Sequence, residues 1–205
     1  MDNIDKIKPL LVFQKDIFYY AQIIQRQKDN PQFKIDVKRY RKFIESEKIF
    51  EDNIENIKDL CDFYNARCYI SLNPRSLEKL GKCCLDEFVN RIKNNQYNNI
   101  YRIPDKLALS LDIIKTKNVV ESQRWLVDID EEKDVEPIRT FIKSNNINIL
   151  AELESPHGLH LVVSAFNKKK IIEPYQMTNA KDDYKIGDST FTLRPECNVI
   201  LYSKL

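Results

Sequence analysis

The order of segments in this chain predicts an α+β fold, because short runs rich in β-branched and aromatic residues alternate with longer amphipathic ones. "ARCYISLN", residues 66–73, is followed by "RSLEKLGKCCLDEFVNRI", which carries Leu77, Leu80, Cys84 and Phe88 on one helical stripe. "QRWLVDID", residues 123–130, is followed by the helical pattern "VEPIRTFIKSNN". Two further strand-like runs, "NILAELE" and "LHLVVSAF", are joined by the tight turn "SPHG". With "NVILYS" as a last strand, the order reads β-α-β-α-β-β-…-β. It predicts a ferredoxin-like mixed sheet with helices packed on it over residues 66–205.

Residues 1–65 read as a helical cap on that core, the whole forming one compact unit. Ile17, Tyr20, Ala21 and Ile24 recur at helical spacing until "KDNP" stops the run, and Ile54, Ile57, Leu60, Cys61 and Tyr64 repeat the pattern. Between them "DVKRYRKFIE" reads as a basic, exposed helix. "NNQYNNIYRIPDK" is the candidate mobile crossing between the first helix and second strand of the core.

Composition narrows the functional classes. The 33 Lys and Arg residues nearly balance 31 Asp and Glu, so no whole-molecule field steers a polyanion to the surface and any such ligand has to meet a local patch. The five cysteines lack CxxC spacing and lie far in sequence from both histidines, which speaks against a zinc site and for reduced, structural thiols in a cytoplasmic protein. No apolar run approaches the roughly 20 residues a membrane span needs. No G-x-S-x-G elbow supports serine nucleophile chemistry.

The chemistry concentrates in two stretches, "RWLVDIDE" (124–131) and "ESPHGLHLVV" (154–163). Side chains alternate along a strand, so Trp125, Val127 and Ile129 share one face while Asp128 and Asp130 share the other, about 7 Å apart along the backbone. Such a carboxylate pair is either a solvated acidic strand end, continued by Glu131, Glu132 and Asp134, or a site for a hard divalent ion such as Mg²⁺ or Mn²⁺. "SPHGLH" adds Ser155 and His157 in a turn, Gly158 where positive φ is expected, and His160 as the first polar side chain of an apolar strand. If His160 faces the carboxylates, its imidazole can bond a nucleotide phosphate, with Ser155 adding a hydroxyl or amide. Arg75, in "LNPRS" at a helix start, is placed to meet phosphate; Arg67, Arg124, Lys168–Lys170 and Arg194 are the other nearby cations. Tyr19, Tyr20, Tyr69, Tyr97, Tyr101 and Trp125 are the candidate stacking faces, of which at most one is expected to serve.

A strand ending in "VDID", then a tight turn and "SPHGLHLVV", resembles the first two motifs of the archaeo-eukaryotic primase (primase-polymerase) superfamily. The resemblance implies an RRM-like catalytic core and a metal-dependent nucleotidyltransferase acting on a nucleic acid template with nucleoside triphosphates. It implies Asp128 and Asp130 as ligands of Mg²⁺ or Mn²⁺, and Ser155 and His160 as nucleotide contacts. The family's third motif is a further strand acid, for which Asp188 in "KIGDSTFTL" is the first candidate and Glu196 in "LRPECNVILY" the second. "FYYAQIIQRQKDNP" and "ARCYISLN" are also similar to short uncharacterised proteins of Bacteroidetes and their phages or mobile elements, which implies a source and no activity. Two other readings stand beside the enzyme: a non-catalytic nucleotide- or nucleic-acid-binding module, and an accessory protein that meets a replication or host protein through its helical cap.

Overall fold

The segment expected to open a helical cap is instead the central strand of a sheet. In the computed structural model, which describes residues 1–110, 123–177 and 182–204, β1 (Ile17–Gln25) is buried on both faces over its first five residues. A strand covered on both sides reads as a continuous apolar run, and such a run satisfies helical and extended periodicity alike. "IFYYAQII" is rich in aromatic and β-branched residues, which resolves the ambiguity towards strand. The basic run is also a strand, β2 (Val37–Ile44), whose charged side chains are tolerated at a sheet edge. The helical-cap expectation for 1–65 is therefore corrected. In that region the main helix is α2 (Glu47–Tyr64), capped by Ser46 at its start and by left-handed Asn65 at its end.

Two antiparallel sheets replace the single mixed sheet expected from the strand order. In the first the order is β10-β3-β1-β2, formed by β10 (Asn198–Ser203), β3 (Arg67–Ser71), β1 and β2, with the two-residue β4 (Arg75–Ser76) on the start of β1. In the second it is β6-β7-β5-β9-β8, formed by β6 (Ile149–Glu154), β7 (Leu159–Ser164), β5 (Arg124–Ile129), β9 (Ser189–Arg194) and β8 (Asp183–Ile186). The strand "NVILYS" thus joins β3 rather than the sheet of Asp128. The β8–β9 hairpin, turned by Gly187 at φ 61°, completes the latter.

Helices pack against both sheets. Phe18 and Tyr20 on the outer face of the first sheet pack with Leu80 and Cys84 of α3 (Leu77–Lys93) and Ile103 of α4 (Ile103–Ser110), so the expected crossing at 94–106 carries a helix of its own. On the second sheet Val127, Ile129, Leu161 and Leu193 pack on Ile138 and Ile142 of α5 (Glu132–Ser144). Asp134, expected to belong to a solvated acidic run, is buried and accepts the Thr190 amide at 3.1 Å, tying α5 to β9.

The inner face of the second sheet contributes Leu126, Leu153 and Val162 to the core built by the first sheet, α2 and the short α1 (Ile4–Ile7). Two fully buried asparagines fasten the sheets to each other. Asn3 donates to the carbonyls of Glu154 and Ile200, both at 3.0 Å, and accepts the Glu154 amide at 2.9 Å. Asn73 donates to the carbonyls of Arg124 (2.8 Å) and Pro195 (3.1 Å) and accepts the Arg124 amide at 2.8 Å. Each amide replaces strand pairing that the two sheets cannot offer one another.

Candidate functional site

Between the sheets lies a cleft of about 480 Å³, and its two walls come from different parts of the chain. The second sheet supplies Leu126, Asp128, Asp130, His160 and Arg194, with Ser155, Pro156 and His157 of the β6–β7 turn. The first sheet and its loops supply Arg26, Lys28, Arg67, Tyr69, Asn198 and Ile200, and Glu196 lies in the β9–β10 connection.

Strand register produces the central feature. Asp128 on β5 and His160 on β7 are directly opposed residues of an antiparallel pair, the arrangement in which side chains of one face meet. His160 Nε2 lies 3.1 Å from Asp128 Oδ1, and Arg194 Nε donates to Asp128 Oδ2 at 3.0 Å. Burial pushes the Asp128 carboxyl up, but the hydrogen bond and charge of His160, together with Arg194, outweigh it and hold the group below its ordinary value. His160 is buried, and its Nδ1 has no partner. With Nε2 spent on the carboxylate, its visible task is to orient Asp128.

The turn that brings β7 beside β5 depends on a close approach. A Cβ built on Gly158 would stand 2.0 Å from the Ile129 carbonyl oxygen, so only glycine fits. The positive φ expected there is absent; φ in the left-handed region occurs at Gly187 instead. Ser155 Oγ accepts the Gly158 amide at 3.2 Å, shaping the turn from the cleft side.

Asp130 and His157 are exposed at the cleft, and Ser155 also lines it. Asp188 does not join them. It sits at the β8–β9 tip after Gly187, its side chain fully in solvent and 3.8 Å from Lys185, because a two-residue turn projects its residues away from the sheet faces. Glu196 is the third acid that lines the cleft. Arg75 is 2% exposed in β4 and donates to the Asn73 carbonyl at 3.3 Å; it does not line the cleft, although the charge of Glu196 reaches it. Of the candidate stacking rings Tyr69 alone is at the cleft. Tyr19 and Tyr20 are core residues, and Trp125 packs against Phe166 on the opposite face of β5.

No family model, curated protein or solved structure matches this chain. The resemblance to the primase superfamily therefore has the two short sequence motifs alone behind it.

Among the described residues, no group of three or more His, Cys, Asp or Glu side chains is arranged to hold a metal ion. The carboxylates nonetheless suit a hard cation. Among the described residues Asp130 has no ion-pair partner, whereas both oxygens of Asp128 are engaged, Oδ1 by His160 and Oδ2 by the Arg194 guanidinium, whose side chain is 53% exposed. Arg26 and Lys28 were outside the reach of sequence reasoning, because they follow a segment that reads as helix. No helix of the described residues is long and apolar enough to cross a membrane.

Proposed function

We propose that the cleft between the sheets is the nucleotide site of a primase-like nucleotidyltransferase, which joins nucleoside triphosphates on a nucleic acid template. The observation that carries this reading is the Asp128–His160 cross-strand pair in the wall of a cleft that also holds Asp130, Glu196 and four cationic side chains. Acids on one wall and guanidiniums on the other suit a ligand that is anionic along its length and reacts at one end.

Asp128 and Asp130 are the residues that would hold Mg²⁺ or Mn²⁺, with Glu196 as the nearest further acid on the cleft. A divalent ion held there would supply the charge that activates a hydroxyl nucleophile and neutralises a leaving pyrophosphate. The chain's own side chains do the remaining work. His160 orients Asp128, Arg194 balances its charge, and Ser155, Pro156 and His157 of the β6–β7 turn line one side of the cleft.

The test is a primer-extension assay with Mn²⁺, labelled triphosphates and primed or unprimed templates. Product should form, and Asp130→Ala should lower the rate at least about 100-fold without unfolding an exposed position. A second reading, a module that binds nucleotide or nucleic acid without catalysis, is favoured by the engagement of both Asp128 oxygens. Tight binding of template and nucleotide with no product across metals would decide for it.

A further inference from the structure

We infer that the first-sheet wall of the cleft, centred on Arg67 and Arg26, is a phosphate-binding half-site that works independently of the acid pair. Arg67 is almost wholly removed from solvent, its side chain only 4% exposed, yet it donates one side-chain hydrogen bond, from Nη2 to Asp29 Oδ1 at 2.5 Å. A guanidinium carries five N–H donors in a rigid fork, and one taken out of water needs them filled. Arg67 Nε is buried without a partner, as is Asp29 Oδ2. The residue lines the cleft, whereas Asp29 does not.

Arg26, its side chain 34% exposed, is paired in a similar way. Its Nη1 donates to the Tyr69 hydroxyl at 3.1 Å; its Nε stands 2.9 Å from Asp36 Oδ2 but outside hydrogen-bonding geometry, and is a second buried nitrogen left without a bond. Asp36, too, lies outside the cleft lining, and Lys28 adds a cleft-facing charge with no carboxylate partner among the described residues. Two guanidiniums that line the cleft, each paired with a carboxylate that does not, match the oxygens of a phosphate group better than those of a further carboxylate, which Asp29 and Asp36 already supply. Tyr69, braced by Arg26, offers its ring between this half-site and Ile200, its cross-strand neighbour on β10.

The inference rests on the proposed reading for the kind of ligand, a nucleotide or a nucleic acid strand, and not for the metal. The experiment measures binding of inorganic tripolyphosphate and of a short oligodeoxythymidylate to the full chain in EDTA. Parent, Arg26→Gln, Arg67→Lys and Asp130→Asn proteins are compared, each first shown by melting to be folded. The parent should bind at least one ligand. Arg26→Gln and Arg67→Lys should bind it at least about tenfold more weakly, through lost bidentate donors, while Asp130→Asn binds as well as the parent or better. A loss confined to tripolyphosphate assigns the site to a triphosphate tail; a loss confined to the oligonucleotide assigns it to a strand's backbone. If Arg67→Lys does not fold, Arg26→Gln decides. No binding of either ligand by the parent, or parental affinity for both in folded Arg26→Gln, overturns the half-site. Binding in EDTA that survives a failed extension assay keeps the half-site and removes the polymerase.

Discussion

The two walls of the cleft present opposite charge arrangements and come from the chain in opposite ways. The second-sheet wall is drawn largely from one window, 128 to 160, where two strands of a connected β5–α5–β6–β7 unit bring Asp128 and His160 face to face. The first-sheet wall gathers Arg26, Arg67 and Ile200 from three separated segments, joined because β3 pairs with β1 on one side and with β10 on the other. A local motif therefore announces the first kind of wall, while the second is a product of topology and has no signature of its own.

Breaking the junction between the walls should have the largest effect on stability. Asn73→Ala strands the buried Arg124 amide and two carbonyls, and should cost about 2–4 kcal/mol in urea unfolding, more than either wall loses when one of its own charges is changed. A cost within error of zero would mean that the sheets hold together without it.

Asp128→Asn sharpens the comparison from the second-sheet side. An asparagine must turn its NH₂ towards one of two donors, His160 or Arg194, and should cost about 1–3 kcal/mol near neutral pH. The folded carboxyl is held below its ordinary value of 3.8, so its stabilisation is complete above that value and is lost as pH falls through the lower folded value. Acid titration of stability should thus show a component in the parent that is missing from the variant; parallel curves would deny the ion pairs a role.

The smallest effect is expected at Asp188. Asp188→Asn should leave both extension activity and melting temperature at parental levels, since this solvent-exposed acid stands away from the cleft. Lost activity would return it to the site and displace Glu196 as the third acid.

Strand alternation was legible where one face is apolar and the other is not. "RWLVDID" shows the faces of β5, with Val127 and Ile129 against α5 and Asp128 in the cleft, and "ARCYISLN" follows the same rule, while the helical stripe of α3 is legible by its own period. β1 was misread because burial on both sides erases alternation, and with it went Arg26 and Lys28, which follow that strand. The β8–β9 hairpin was passed over although "IGDS" is turn chemistry, which left Asp188 assigned to a strand position it does not occupy. That Arg194 would neutralise Asp128 required the pairing of β5 with β9, a long-range fact beyond any local pattern. An α+β class is thus a reading of segments; two sheets with a cleft between them is a reading of their partners.

The paired asparagines also bear on time. Because Asn3 and Asn73 lock β6 and β5 to strands and turns of the other sheet, changing the width of the cleft has to break buried hydrogen bonds. For the ligand proposed above, association should then be a single encounter, with a rate that climbs in proportion to ligand concentration instead of levelling off at the speed of a closing step, and selectivity between ligands should be expressed in how long each one stays.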